Sequence, residues 1–95
     1  MPLFTLTCLD KADVLELRLA IRPDHLAYIN RFESAVKLAG PILDQVDGNP
    51  KGSFFILDVE DEERAKAFAD GDPYLLAGVF GERTLHAFRM TIGAL

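Results

Sequence analysis

The chain has 95 residues, 49% of them hydrophobic and 26% charged, with a formal net charge of −5 from 15 acidic and 10 basic side chains. This length predicts one domain over residues 1–95, and the composition is that of an ordinary globular protein. An acidic balance with no Lys/Arg run excludes the electrostatic footprint of a nucleic-acid binder or of a protein held to anionic membranes.

The one cysteine, Cys8, has no internal disulfide partner and no metal-type spacing around it. It lies in an apolar run and is expected to be a small buried hydrophobe rather than a nucleophile. No basic segment followed by an apolar core and a cleavage site opens the chain, so no signal peptide is expected. No apolar stretch approaches membrane-spanning length. The cytoplasm is the expected compartment.

Residues 2–9 alternate as a strand, with Phe4, Leu6 and Cys8 on one face and Leu3, Thr5, Thr7 and Leu9 on the other. Asp13 is expected to cap a short helix through about Ala20, and Pro23 to restart it, because proline suits a first helical turn. Leu26, Ile29 and Phe32 recur at helical spacing and predict the inward stripe of a helix ending near Ser34, with His25 at its border. Residues 36–43 read as a second strand. Gly40-Pro41 demands a bulge, a bend or a sheet edge there, since proline cannot donate to a ladder. Asp47-Gly48-Asn49-Pro50 marks a loop over residues 44–52.

Residues 53–60 form the clearest strand; Phe54-Phe55-Ile56-Leu57 is apolar at consecutive positions, so both faces need cover. Acids at 61–63 open a second helix, Ala65, Phe68 and Ala69 line it, and Gly71 ends it. Asp72-Pro73 starts a short turn or helical piece through about Ala77, and residues 82–92 read as the last strand. The order β-α-β-β-α-β predicts an α+β, ferredoxin-like domain: a four-stranded antiparallel sheet with both helices on one face. The other face is left bare, and a second copy of the chain, paired by two-fold symmetry, is the economical cover.

Two motifs carry the chemistry: Arg22-Pro23-Asp24-His25-Leu26 and Asp72-Pro73-Tyr74. An imidazole oriented by a carboxylate moves protons near neutral pH. The predicted helix pair can bring His25 and Asp72 to one end of the fold, with Asp72 holding one ring nitrogen and leaving the other open. Each has a structural alternative: a locally bonded helix histidine, and a cap of the kind Asp-Pro usually makes. Arg22, with Arg18 nearby, suits a carboxylate or phenolate substrate, or is a surface cation beside Asp24. Ser53 at a strand mouth can donate to a ligand, and Tyr74 can line the site or simply pack at an edge. His86 reads as a strand histidine, no metal-ligand set stands out, and no serine-elbow motif supports acyl transfer.

These motifs have company: Asp10-Lys11-Ala12-Asp13, Leu17-Arg18, Ala39-Gly40-Pro41, the strand at 53–59 and Ala69-Asp70-Gly71-Asp72-Pro73-Tyr74 with Ala77-Gly78-Val79. In their order and spacing, over nearly the whole chain, they resemble the YciI-like (YCII-related) family. The resemblance implies a dimeric α+β barrel with a His-Asp pair in its active site, here His25 and Asp72. A substrate site taking in Arg22, Ser53, Tyr74, Gly40 and Pro41 is expected beside this pair. A member of that family removes HCl from a chlorinated hydroxyhydroquinone without a redox cofactor, so no cofactor is expected. The loop over residues 44–52 is short for the family, which bears on pocket size. The leading expectation is an enzyme using His25 as general acid/base on a small cyclic or aromatic molecule. A non-catalytic ligand-binding or regulatory module is the runner-up, and a structural partner domain the third reading.

Overall fold

The computed structural model describes residues 2–95. Its elements are β1 (Leu3–Asp10), α1 (Leu15–Arg31), β2 (Val36–Leu43), β3 (Pro50–Asp58), α2 (Glu62–Asp70), α3 (Pro73–Leu76) and β4 (Phe80–Phe88). The strands form one antiparallel sheet in the order β2-β3-β1-β4. This is the predicted ferredoxin-like arrangement. No helix among the described residues is long and apolar enough to cross a membrane.

The period-2 alternation decides which residues meet the helices. Phe4, Leu6 and Cys8 of β1 stand beside Leu57, Phe55 and Ser53 of β3 on one face. Phe4, Leu6, Cys8, Phe55 and Leu57 make the core with Ala65, Phe68 and Ala69 of α2 and Tyr74 of α3. The opposite face carries Thr5, Thr7, Phe54 and Ile56, with His86 across from Thr5. His86 is in a strand as expected and is exposed.

Several boundaries and contacts differ from the sequence reading. The first helix does not restart at Pro23; α1 runs unbroken through it. Pro23 and Leu19, whose carbonyl thereby loses its donor, both lie on the exposed side, where the loss costs least. Asp13 does not cap the helix; it takes a left-handed turn conformation at φ 59°, and Val14 precedes the first turn. Asp61 is a cap, its Oδ1 accepting the Arg64 N–H at 2.9 Å. Gly40 and Pro41 pair in register with Phe54 and Ser53, and the irregularities flank them. Pro41 is tolerated because β2 is an edge strand. Strand β3 starts at Pro50, inside the expected loop, and β4 ends at Phe88 rather than near Ile92.

Candidate functional site

Helix α1 turns a polar face to the protein. Its inward line is Arg18, Ile21, His25, Tyr28 and, at its end, Phe32, with Arg18 and His25 buried. Leu26, expected on that stripe, is 41% exposed, and Leu19 is 55% exposed. The periodicity therefore placed Ile29 and Phe32 against the core correctly and misplaced Leu26. Polar side chains occupy core-facing positions, which a structure tolerates only when their hydrogen bonds are met.

They are met by residues distant in sequence. The His25 Nδ1 lies 2.8 Å from Asp72 Oδ1. That same oxygen accepts the Tyr74 N–H at 2.9 Å, so Asp72 caps α3 and holds the imidazole at once. Asp72 is 1% exposed. An ionised carboxylate only accepts, so the contact places the proton on Nδ1 and leaves Nε2 of the neutral ring as an acceptor. The Tyr74 ring stacks on His25 with centroids 4.0 Å apart, and Phe55 meets the imidazole edge-on at 6.1 Å. Tyr28 sets the approach of the helices. Its phenol donates to the Phe68 carbonyl at 2.9 Å. It also sits where a Cβ on Gly71 would collide with the phenol oxygen.

A second cluster adjoins the first. Arg18 donates through Nη1 to both Asp10 oxygens at 2.8 and 3.1 Å. Through Nη2 it donates to the Gly52 carbonyl at 2.9 Å and to Ser53 Oγ at 2.7 Å. Its guanidinium carbon lies 4.5 Å from the centre of the Tyr74 ring. Gly52 has no room for a side chain, since a Cβ there would stand 2.5 Å from the Cys8 carbonyl oxygen. Burial pushes the Asp10 carboxyl above its ordinary value, and Arg18 pulls it back without cancelling the shift. Burial likewise raises the Tyr74 phenol, against the opposing pull of Arg18 and Arg22. The Cys8 thiol is pushed up to about 12, by burial first and then by the charge of Asp72, which makes it inert as a nucleophile at neutral pH.

Between α1 and the β2–β3 edge lies a cavity of about 300 Å³. Every substrate-site residue expected from the sequence lines it: Arg22, Gly40, Pro41, Ser53 and Tyr74, with His25 in the wall. Asp72 stands behind His25 and outside the lining. The volume is at the small end for ligand sites and suits a single substituted ring. A more open depression of about 630 Å³ beside Leu3, Phe88 and Met90 holds no paired titratable groups.

The sequence reading missed Asp10 and underrated Arg18. A signal existed for Asp10: it continues the Phe4, Leu6, Cys8 series, so strand parity sends it inward. For Arg18 the signal was its seven-residue spacing from His25, two helical turns on one face. Phe55 was placed in its strand but not in the site.

The YCII-related domain pattern matches residues 2–89. The protein YciI of Escherichia coli O6:H1 is 39% identical over 95 residues, spanning 92% of this chain and 96% of that one. A solved 5-chloro-2-hydroxyhydroquinone dehydrochlorinase from Burkholderia phenoliruptrix, in complex with 2,5-dihydroxybenzoquinone, superposes with a TM-score of 0.86. It is 26% identical, over 92% of this chain and 93% of that one. A dimeric ferredoxin-like protein from an uncultured marine organism shares the fold at a TM-score of 0.59 and 16% identity, over 97% of this chain and all of that one. The polar helix face, the His25–Asp72 contact and the small cavity thus sit on a scaffold whose pattern spans nearly the whole sequence, and the chain belongs to the YCII-related family.

Proposed function

We propose that this protein is a small cytoplasmic enzyme that abstracts a proton from a single-ring cyclic or aromatic molecule, with His25 as the catalytic residue. The observation that carries the reading is the 2.8 Å contact between a buried carboxylate and Nδ1 of an imidazole in a cavity wall. Asp72 is a positioning residue: it fixes the ring and stabilises the imidazolium that forms when Nε2 takes a proton. In an elimination, the electrons of the broken C–H bond form the new double bond. The leaving group departs with its own bonding pair, and His25 later returns the proton to solvent. Arg22, exposed at the cavity, offers charge to a developing oxyanion. A structural neighbour that is a dehydrochlorinase supports this class of reaction.

The test screens purified protein against hydroxylated and halogenated aromatics and compares wild type with His25→Ala. A fall in kcat/KM of about 10²–10⁴ is expected, the usual worth of general acid–base help. Equal turnover by both proteins removes His25 from the chemistry. Tight binding without product, unaffected by His25→Ala, would favour the ligand-binding module instead.

The assembly expected is a homodimer closed over the sheet face opposite the helices. Leu38 and Phe88 lie on that face, each 41% exposed, beside Phe54 and Ile56. A two-fold pairing would bury this patch twice over. Light scattering should give twice the mass of the chain; a stable monomer at micromolar concentration would refute the pairing.

A further inference from the structure

Tyr28 stands one turn beyond His25 on α1 and on the same face, so both side chains reach inward from one rigid support. His25 holds Asp72, and Tyr28 holds the residues just before it. The Tyr28 phenol donates to the Phe68 carbonyl at 2.9 Å. That carbonyl also accepts the Gly71 N–H, at a longer 3.3 Å. The tighter bond at the end of α2 therefore comes from α1. Phe32 and Phe68 flank the Tyr28 ring, with centroids 4.9 and 5.5 Å away. Burial and then the charge of Asp72 push the Tyr28 phenol up, so it keeps its proton and stays a donor across the neutral range.

Gly71 completes the contact. Its backbone, at φ −94° and ψ −3°, is open to residues with side chains. The glycine is used for room, not for backbone freedom. A Cβ there would collide with the Tyr28 phenol oxygen and would stand 3.1 Å from the ring carbon that bears it. Tyr28 thus seats in a notch directly before Asp72. Asp72 needs such a hold. Its Oδ1 serves both His25 and the Tyr74 N–H, while its Oδ2 is buried without a hydrogen-bond partner among the described residues. With one oxygen unanchored, the His25 contact depends on where the backbone puts residue 72. A shift of about 0.5 Å at that corner would carry the contact out of the ordinary hydrogen-bond range.

We propose that Tyr28 is a positioning residue for the His25–Asp72 pair: its phenol, seated in the Gly71 notch, sets the distance from α1 to the α2–α3 corner and so keeps the imidazole proton on Nδ1. Tyr28 lies outside the cavity lining and acts only through these two residues. Its bearing on proton abstraction rests on the function proposed above, which uses the free Nε2. Its hold on the ring does not.

The test compares wild type with Tyr28→Phe, Gly71→Ala and the double variant. Long-range ¹H–¹⁵N correlation spectra read the His25 ring, with exposed His86 as internal reference, and urea denaturation reads stability. Tyr28→Phe should raise the ratio of Nε2–H to Nδ1–H in the neutral His25 ring about fivefold, the worth of one hydrogen bond. Gly71→Ala should raise it further. The double variant should fall back toward wild type, because deleting the oxygen returns most of the room that the Cβ needs. A merely structural Tyr28 would lower the urea midpoint in Tyr28→Phe and leave the ring populations unchanged; that result overturns the proposal. So does a double variant no closer to wild type than Gly71→Ala. Should Gly71→Ala fail to fold by circular dichroism, the ring in Tyr28→Phe decides the matter. Equal turnover in His25→Ala would leave this positioning role standing, and an unchanged ring in Tyr28→Phe would leave proton abstraction by His25 standing.

Discussion

Arg18→Met is expected to lower the unfolding free energy by about 3–5 kcal/mol, the usual effect of removing one partner from a buried ion pair. The side chains of Arg18 and Asp10 are 5% and 6% exposed, so solvent cannot replace the lost cation. The variant also strips a donor from the Gly52 carbonyl and from Ser53 Oγ. Against the few kcal/mol that hold a domain of this size, the change is large enough to leave much of the chain unfolded at room temperature. Urea denaturation measures it. The loss should depend on pH with a definite sign. The folded-state carboxyl of Asp10 is already above its ordinary value of 3.8, and without Arg18 it rises further. Between the unfolded and folded values the native state holds the extra proton, so stability falls as pH rises through that window. The cost is absent below the unfolded value and complete above the folded one. Arg18→Met should therefore approach wild type on acidification toward pH ~4 and differ most at neutral pH. The double variant Asp10→Leu, Arg18→Met should recover most of the loss, because a matched apolar pair leaves no orphaned charge. A single variant as stable as wild type at neutral pH would show that the buried pair contributes nothing.

Asp72→Ala is expected to cost about 2–4 kcal/mol, combining a lost helix cap with a buried Tyr74 N–H left without an acceptor. Asp72→Asn separates this from chemistry. Its amide oxygen can still accept from Tyr74, so stability should fall by about 1–2 kcal/mol only. The charge that stabilises an imidazolium is gone, and turnover should drop by about 10²-fold or more. The ring state provides a readout free of any substrate. Long-range ¹H–¹⁵N correlation spectra of the neutral ring should show His25 with its proton on Nδ1 in wild type, and a mixed population in Asp72→Asn. A wild-type ring protonated on Nε2 alone would overturn the orientation assigned to it and, with it, the use of Nε2 as a base.

The fold was legible because its signals are local. The alternation of β1, the apolar block at 54–57, the acids ahead of α2 and the glycine after it each speak for their own segment, and their order admits few topologies. The site was legible in part for the same reason: Asp72-Pro73 is a local cap signature, and the cap residue turned out to be the partner of His25. Helix α1 was read wrongly where periodicity conflicts with burial. Its leucines at 19 and 26 are half-exposed at the cavity, and its arginine and histidine are buried. Such a helix violates the rule that apolar residues face the core, and violations of this kind belong to sites, where polar groups are held at a cost in stability.

From residue order alone came the β-α-β-β-α-β succession, the separation of strand faces and the short list of side chains able to move a proton or hold a ligand. Local propensity and period decide these, and neither requires knowledge of distant partners. Tertiary structure alone decided that His25 reaches Asp72 across 47 positions and that Arg18 reaches Ser53 across 35. It also decided that His25, Arg18 and Ser53 line one small cavity, with Asp72 behind His25. Hydrogen-bond partners buried away from water are chosen by geometry within a few ångströms, and no pattern confined to neighbouring residues encodes that choice.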